Sequence, residues 1–384
     1  KAVAGSGEKL IDEQKVRASV ARQEGPSNVR LDAVVPKQPG LRLHLRCRKG
    51  LESIVADEVR EDEGRGGKFR VVEVRGCFVV VEPKDAFTLG ELHQLRCFDT
   101  AAFFLAFIRD PGSAEALEVL AKAIASPLAE KLMAGLTQGA ARYRLSMVAE
   151  GNHDEAVAKV TKKAFALNPR VLNDPRESPW SVDVHFDERS ALVELRPRIS
   201  PNPRLYYRTD AVNAASHPPL AACLVRVAGR QDKEIVWDPF CGSGLELIES
   251  ALAGGVGQLV GTDIDPAAIA IAEANFKAAK LPGTKAAFHA CDFRDIIRIP
   301  ELDRGKVSLV ISNPPLGRRV RVPNMHGLFA DLFKIASEVL RPNGRLVFVN
   351  PLRLSSVDPT LRLESSRTVD LGGYDCRLEV YRKR

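Results

Sequence analysis

From Leu41 onward apolar and polar positions alternate, Leu41, Leu43 and Leu45 against Arg42, His44 and Arg46, which is the period of a half-exposed strand. Leu51, Ile54, Val55 and Val59 then recur at helical spacing, with Glu52, Asp57, Glu58 and Arg60 on the other faces. Gly64 to Gly67 break the pattern. Phe69 to Val74 and Cys77 to Val81 read as strands joined at Arg75-Gly76, and Ala101 to Ile108 as another after a short helix. This β-α-β-β-α-β order predicts a small ferredoxin-like module over 41–110. A second α+β unit is expected over 111–200. It comprises a helix-rich stretch from Ala114 to Ala134, a strand from Tyr143 to Val148, a helix from Asp154 to Leu167 capped by Asp154, and a hairpin of Val182 to Phe186 with Ala191 to Leu195. Pro197, Pro201 and Pro203 mark a boundary. Over 201–384 helices and apolar strands alternate around Gly- and Pro-rich turns, the order of a doubly wound α/β domain. Residues 1–40 carry no aromatic side chain, mix charges of both signs and end in Pro36 and Pro39-Gly40, so a flexible segment with little fixed structure is expected there.

The length of 384 residues excludes a single small module, and 45% apolar with 27% charged residues fits a chain that folds through most of its length. A formal net charge of +7 allows a polyanionic partner. Seven widely spaced cysteines with no CxxC pair argue for a reducing compartment and against a zinc site. The longest apolar run, Ala101 to Ile108, falls far short of the ~18 residues of a membrane span, so no membrane partner is expected. Glu8, Asp12 and Glu13 do not suit a transit peptide, which favours the cytoplasm; because the chain opens on Lys1 rather than Met, an organelle stays open. A monomer is favoured.

Glu234 to Trp237 form a short apolar run that leads into Asp238-Pro239-Phe240-Cys241-Gly242-Ser243-Gly244 and then a helix. Strand, Gly loop and helix cradle a nucleotide: Gly242 and Gly244 let backbone approach a ligand, and the helix start offers free N–H groups. A dinucleotide fingerprint needs a third Gly, absent after Gly244, so nicotinamide binding and a dehydrogenase are disfavoured. Asp263 follows Gly244 by nineteen residues and suits a ribose diol, whereas Asp265 before Pro266 reads mainly as a helix cap. Asp292 offers an acceptor for an amino group, with Phe293 as an apolar face for adenine. In Asn313-Pro314-Pro315 two prolines fix the backbone, leaving the Asn313 side-chain oxygen and the Pro314 carbonyl as rigid acceptors that suit an NH2 group. An exocyclic amine is a poor nucleophile until its lone pair is drawn out of the ring. A sulfonium methyl is the electrophile that asks for positioning more than for a strong base.

DPFCGSG, GTDIDP, CDF and NPP, in this order, resemble the motifs of S-adenosylmethionine-dependent RNA methyltransferases that carry a THUMP domain and methylate guanine N2. Arg48-Lys49-Gly50-Leu51-Glu52, Arg204-Leu205-Tyr206-Tyr207-Arg208 and His217-Pro218-Pro219-Leu220 are similar to further family segments. The resemblance implies a C-terminal Rossmann-like methyltransferase sheet at 201–384, with a ferredoxin-like module at 41–110 and a THUMP RNA-binding domain at 111–200. It implies S-adenosylmethionine as cofactor, with Asp238, Phe240, Gly242 and Gly244 around its methionine moiety, Asp263 at the ribose, and Asp292 with Phe293 at the adenine. Asn313, Pro314 and Pro315 would hold the target amine, and structured RNA, tRNA or large-subunit rRNA, would be the partner; no metal is implied. Arg318, Arg319 and Arg321 after the NPP, and Arg196, Arg198, Arg204 and Arg208 at the boundary, suit phosphates and equally suit a solvated surface. The family usually carries an aromatic residue after NPP, where this chain has Leu316. Three alternatives therefore stay open: an N6-adenine methyltransferase, another amino methyltransferase such as one acting on glutamine amides, and an RNA-binding factor whose methyltransferase domain has lapsed.

Overall fold

The structure, a computed structural model, describes residues 2–384 except 114, 149, 150, 152, 212–215, 297, 298, 318–321, 353 and 357, and only the backbone of 2–12. The chain forms two compact units, residues 1–46, 59–95 and 100–203 in one and 47–58, 96–99 and 204–384 in the other.

The first unit opens with α1 (Ala2–Gln23), followed by β1 (Leu43–Arg46), α2 (Glu52–Gly64), of which 52–58 count with the second unit, β2 (Phe69–Arg75), β3 (Phe78–Pro83), the one-turn α3 (Leu89–Leu92) and β4 (Thr100–Ile108). Then come α4 (Ala116–Ile124), α5 (Pro127–Gly135), β5 (Arg142–Val148), α6 (Asp154–Leu167), β6 (Leu172–Asn173), β7 (Trp180–Phe186) and β8 (Ala191–Pro197). The strands of 41–110 and those of 111–200 join one eight-stranded sheet, in the order β6-β5-β7-β8-β4-β1-β3-β2, through the antiparallel pairing of β8 with β4. Two expectations are corrected here. The segment expected to lack fixed structure is largely helical: in α1, Ala18 and Ala21 are buried, Arg17 lies over the Phe165 ring, and Arg22 pairs with the buried Asp174. Small alanines bury little area each, so the contact leaves no aromatic trace in the sequence. The cap of α6 is His153 rather than Asp154, which instead places its charge in the first turn, where the helix dipole favours it.

The second unit holds α7 (Pro218–Ala228), β9 (Glu234–Asp238), α8 (Leu245–Ala253), β10 (Val256–Asp263), α9 (Pro266–Ala279), β11 (Lys285–Ala290), β12 (Val307–Ser312), α10 (Met325–Val339), β13 (Leu340–Asn350), β14 (Leu361–Asp370) and β15 (Asp375–Lys383). Its seven-stranded sheet runs β11-β10-β9-β12-β13-β15-β14, parallel except for the antiparallel pairings of β15 with β13 and β14. β9 and β12 are almost wholly buried because helices cover both faces of a parallel sheet, hence their continuous apolar runs. Strand order reverses between β9 and β12, so the crevice of a doubly wound sheet opens at their C-terminal ends, beside Asp238 and Ser312. Trp237, Val310, Phe329 and Phe348 lie in the core beneath that edge.

Candidate functional site

Asp238 ends β9 with its side chain fully buried. Its Oδ1 accepts from the Phe240 N–H at 3.0 Å and from the Ser312 hydroxyl at 2.7 Å, tying the two switch-point strands together. Its Oδ2 is buried without a hydrogen-bond partner. Burial, and then the nearby negative charge of Glu246, push this carboxyl well above the usual range. The loop that follows is set by its glycines: Gly242 and Gly244 have φ of +50° and +79°, and a Cβ on Gly244 would come within 3.3 Å of Ala272 on α9. The Gly242 N–H donates to Asp263 Oδ2 at 3.0 Å, so the tip of β10 holds the loop. Asp263 Oδ1 accepts from the Asp265 N–H at 3.0 Å, and Asp265 caps α9 by accepting from Ala267, with Pro266 in the first turn.

Asn313 leaves β12 at the same edge. Its Nδ2 donates to Ser216 Oγ at 2.9 Å, while its Oδ1 is buried and makes no hydrogen bond. The amide is thus held by its nitrogen, with a buried acceptor left unpaired at the other end. Pro314 is buried, and Pro315 and Leu316 are half-buried. Ser216 donates its own proton to Glu246 Oε1 on α8. Glu246 is 2% exposed, and burial, with Glu249 adding to it, pushes its carboxyl up to about 7 against the lowering effect of Ser216. Glu249, one helical turn on, is fully engaged: Arg96 donates to both of its oxygens at 2.6 and 2.8 Å, and the Tyr207 hydroxyl donates at 2.6 Å.

Some expected site residues stand elsewhere. Phe293 is 2% exposed and packs in the core against Phe240, ring centroids 4.8 Å apart, so its ring is not an open face for adenine. Asp292 is bound by Arg294, whose backbone N–H donates to Oδ1 at 2.9 Å and whose guanidinium sits 2.9 Å from Oδ2. The exposed apolar side chain beside the Asp263 carboxylate is Ile264, at 75% exposure. Its one trace in the sequence is its place between two aspartates in a turn, because a single exposed apolar side chain is ordinary on a protein surface. Arg204 is corrected outright: it is buried, lies over the Phe98 ring, and donates to the Phe98 and Asp99 carbonyls, so its guanidinium is committed to the fold rather than to phosphate. In the first unit Arg196 pairs with Asp183, and Arg198 donates to the Ser178 carbonyl at 2.8 Å. Arg208 is half-buried. Arg318, Arg319 and Arg321 lie outside the described residues. Cys241 is buried, with its thiol pushed up by burial, which suits packing rather than nucleophilic attack. Among the described residues no group of three or more His, Cys, Asp or Glu is placed to hold a metal ion, and no helix is long and apolar enough to cross a membrane. Glu246 and Ser216 went unnoticed in the sequence, because nothing in their spacing links them to Asn313.

Residues 206–369 match the family described as UPF0020: RMKL-like, methyltransferase domain. The tRNA (guanine(10)-N2)-dimethyltransferase of Methanocaldococcus jannaschii is 30% identical over 138 residues, which are 36% of this chain and 38% of that protein. The ribosomal protein L11 methyltransferase of Teredinibacter turnerae is 29% identical over 161 residues, 40% of this chain and 48% of that protein. The match thus spans less than half the length of either relative. The crystal structure of TrmN from Thermus thermophilus superposes with a TM-score of 0.70 at 23% identity, over 90% of this chain and 100% of that one, a likeness of fold.

Proposed function

We propose that this chain, whose residues 206–369 match the RMKL-like UPF0020 methyltransferase domain, transfers a methyl group from S-adenosylmethionine to the exocyclic N2 amine of a guanosine in structured RNA. The observation that carries the reading is the buried, unpartnered Asn313 Oδ1 at the switch point of the sheet. The residues around it fit the cofactor. A loop turned by Gly242 and Gly244 opens beside the N-terminus of α8, Asp263 stands at the tip of β10, and Asp238 keeps a buried oxygen with no partner. Gly242, Gly244, Phe240 and Asp238 would surround the methionine moiety, Asp263 would accept the ribose hydroxyls, and Asp292 would take the adenine amino group, with Ile264 rather than Phe293 as the apolar surface. When bound, the cofactor supplies an already activated methyl on sulfur.

The chain's own contribution is orientation. Asn313 Oδ1 and the Pro314 carbonyl accept the two protons of the target amine, which draws its nitrogen toward a tetrahedral shape and turns the lone pair out of the ring. Pro314 and Pro315 keep those acceptors fixed, so little reorganisation remains for the reacting complex. The relative in M. jannaschii is named for guanine N2 in tRNA, which favours RNA as the substrate class. The likeness to a ribosomal protein L11 methyltransferase favours a second reading, methylation of protein. In the RNA reading the α+β sheet of the first unit, as ferredoxin-like and THUMP modules, grips RNA in the cytoplasm. Arg208, Arg318, Arg319 and Arg321 contact its phosphates.

The test is transfer of label from S-adenosylmethionine to total tRNA, to rRNA and to ribosomal protein, each from cells lacking this chain, with nucleoside mass spectrometry of the product. N2-methylguanosine from one RNA pool is expected. Label in protein or in N6-methyladenosine overturns the reading, and no label in any pool with cofactor binding intact supports a lapsed domain.

A further inference from the structure

α8 is apolar apart from Ser250 and two carboxylates, and among the described residues only one of the two carboxylates has cationic company. Glu249 is gripped by Arg96 and Tyr207, whereas Glu246, 2% exposed, faces Ser216 and sits among negative or neutral groups: Asp238 at the end of β9, Cys241 in the loop and Glu249 on its own helix. A buried carboxylate left without a cation is costly, so its retention calls for a role. The role follows from proton counting. Ser216 has one hydroxyl proton and gives it to Glu246; its lone pair therefore accepts from Asn313 Nδ2. An amide side chain rotated by half a turn would fit the same space, with Oδ1 and Nδ2 exchanged. The hydroxyl, polarised by an ionised Glu246, admits only the rotamer in which Nδ2 meets Ser216 and Oδ1 is left unpartnered.

Resting on the reading of Asn313 as acceptor for the target amine, we infer that Glu246 is a positioning residue that acts through Ser216 to select the Asn313 rotamer presenting Oδ1. Protonating Glu246 reverses the relay. Its O–H then donates to Ser216, the Ser216 proton turns to Asn313, and Asn313 satisfies it with Oδ1, leaving N–H groups facing an amine that carries protons of its own. Burial and the neighbouring Glu249 raise the Glu246 carboxyl to about 7, which puts this reversal within reach of ordinary conditions.

The experiment measures kcat and KM for methyl transfer to RNA between pH 5.5 and 9 in wild type, Glu246→Gln, Glu246→Leu and Ser216→Ala, with cofactor affinity measured by calorimetry. Wild type is expected to lose kcat about tenfold for each pH unit below a midpoint near 7, with KM little changed. Glu246→Gln, which does not titrate, is expected to lose this acid limb. Glu246→Leu and Ser216→Ala are expected to lower kcat about 10- to 100-fold at pH 8 while cofactor affinity holds. An unchanged acid limb in Glu246→Gln, or wild-type kcat in Ser216→Ala, overturns the inference alone. A wild-type protein that transfers nothing to RNA overturns the functional reading as well. Should Glu246→Leu fail to fold, the pH profile of Glu246→Gln decides the matter.

Discussion

Both units bury carboxylates almost completely, and Glu194 in the first is treated in the opposite way to Asp238 and Glu246 in the second. Glu194 on β8, 1% exposed, receives two hydrogen bonds at 2.8 Å from Arg46 and a contact from His44, with His185 at 3.4 Å. Burial acts to raise its carboxyl, but His185, His44 and Arg46 together hold it well below the usual range. Glu246 and Asp238 in the second unit are just as buried yet lie among other carboxylates, and burial pushes both up. Desolvation is common to all three, so it is the partners that decide the direction. In the first unit Glu194 is satisfied by Arg46, His44 and His185. The second leaves Asp238 Oδ2 and Asn313 Oδ1 unsatisfied at the strand switch, which is where unpaired acceptors await a ligand.

Breaking the satisfied charge should have the largest effect. Glu194→Ala leaves Arg46 and His44 facing each other without a counter-charge, and is expected to cost about 3–5 kcal/mol in urea denaturation of the full chain. A loss below 1 kcal/mol would show that the cluster contributes little. Removing charge from the unsatisfied side should act the other way. At pH 8, Glu246→Gln is expected to raise stability by on the order of 1 kcal/mol, since one unit of raised pKa corresponds to about 1.4 kcal/mol.

The pH dependence sharpens the same contrast, with opposite signs. Glu246 is raised from 4.5 to about 7, so its stabilising contribution is fully present below pH 4.5 and is lost as pH rises through 7. Glu194 is lowered, so its contribution is present above pH 4.5 and is lost as pH falls. Denaturation at pH 5.5 and 8 should therefore show Glu246→Gln gaining on wild type with rising pH. Equal differences at the two pH values would remove the assignment. The smallest effects concern the arginines. Arg208→Ala should reduce the salt dependence of RNA binding by about one phosphate contact. Arg204→Met should leave that slope unchanged and lower stability by about 1–3 kcal/mol, because two carbonyls lose their donor.

The second unit was legible because a parallel sheet writes its strands as apolar runs and closes them with Gly, Asp and Pro turns. β9 and the Asp265 cap stand where those signals put them. What escaped lies in long-range contacts. The Phe98 and Asp99 carbonyls that bind Arg204 are over a hundred positions away in sequence, and Phe293 is buried because Phe240 packs on it. Likewise α1 docks through alanines, too small to stand out in a polar stretch. Ser216 connects Glu246 to Asn313 across 30 and 97 residues, where no local pattern reaches.

The central claim is that an unpartnered Asn313 oxygen holds the amine that receives the methyl group. It is tested most directly by comparing wild type with Asn313→Ala in labelled methyl transfer to RNA, with cofactor binding and thermal unfolding measured alongside. The account predicts N2-methylguanosine from wild type and a loss of kcat of about 100-fold or more in Asn313→Ala, by analogy with removing one preorganised polar group, with cofactor binding and folding retained. Transfer at the wild-type rate in a folded Asn313→Ala protein would contradict it.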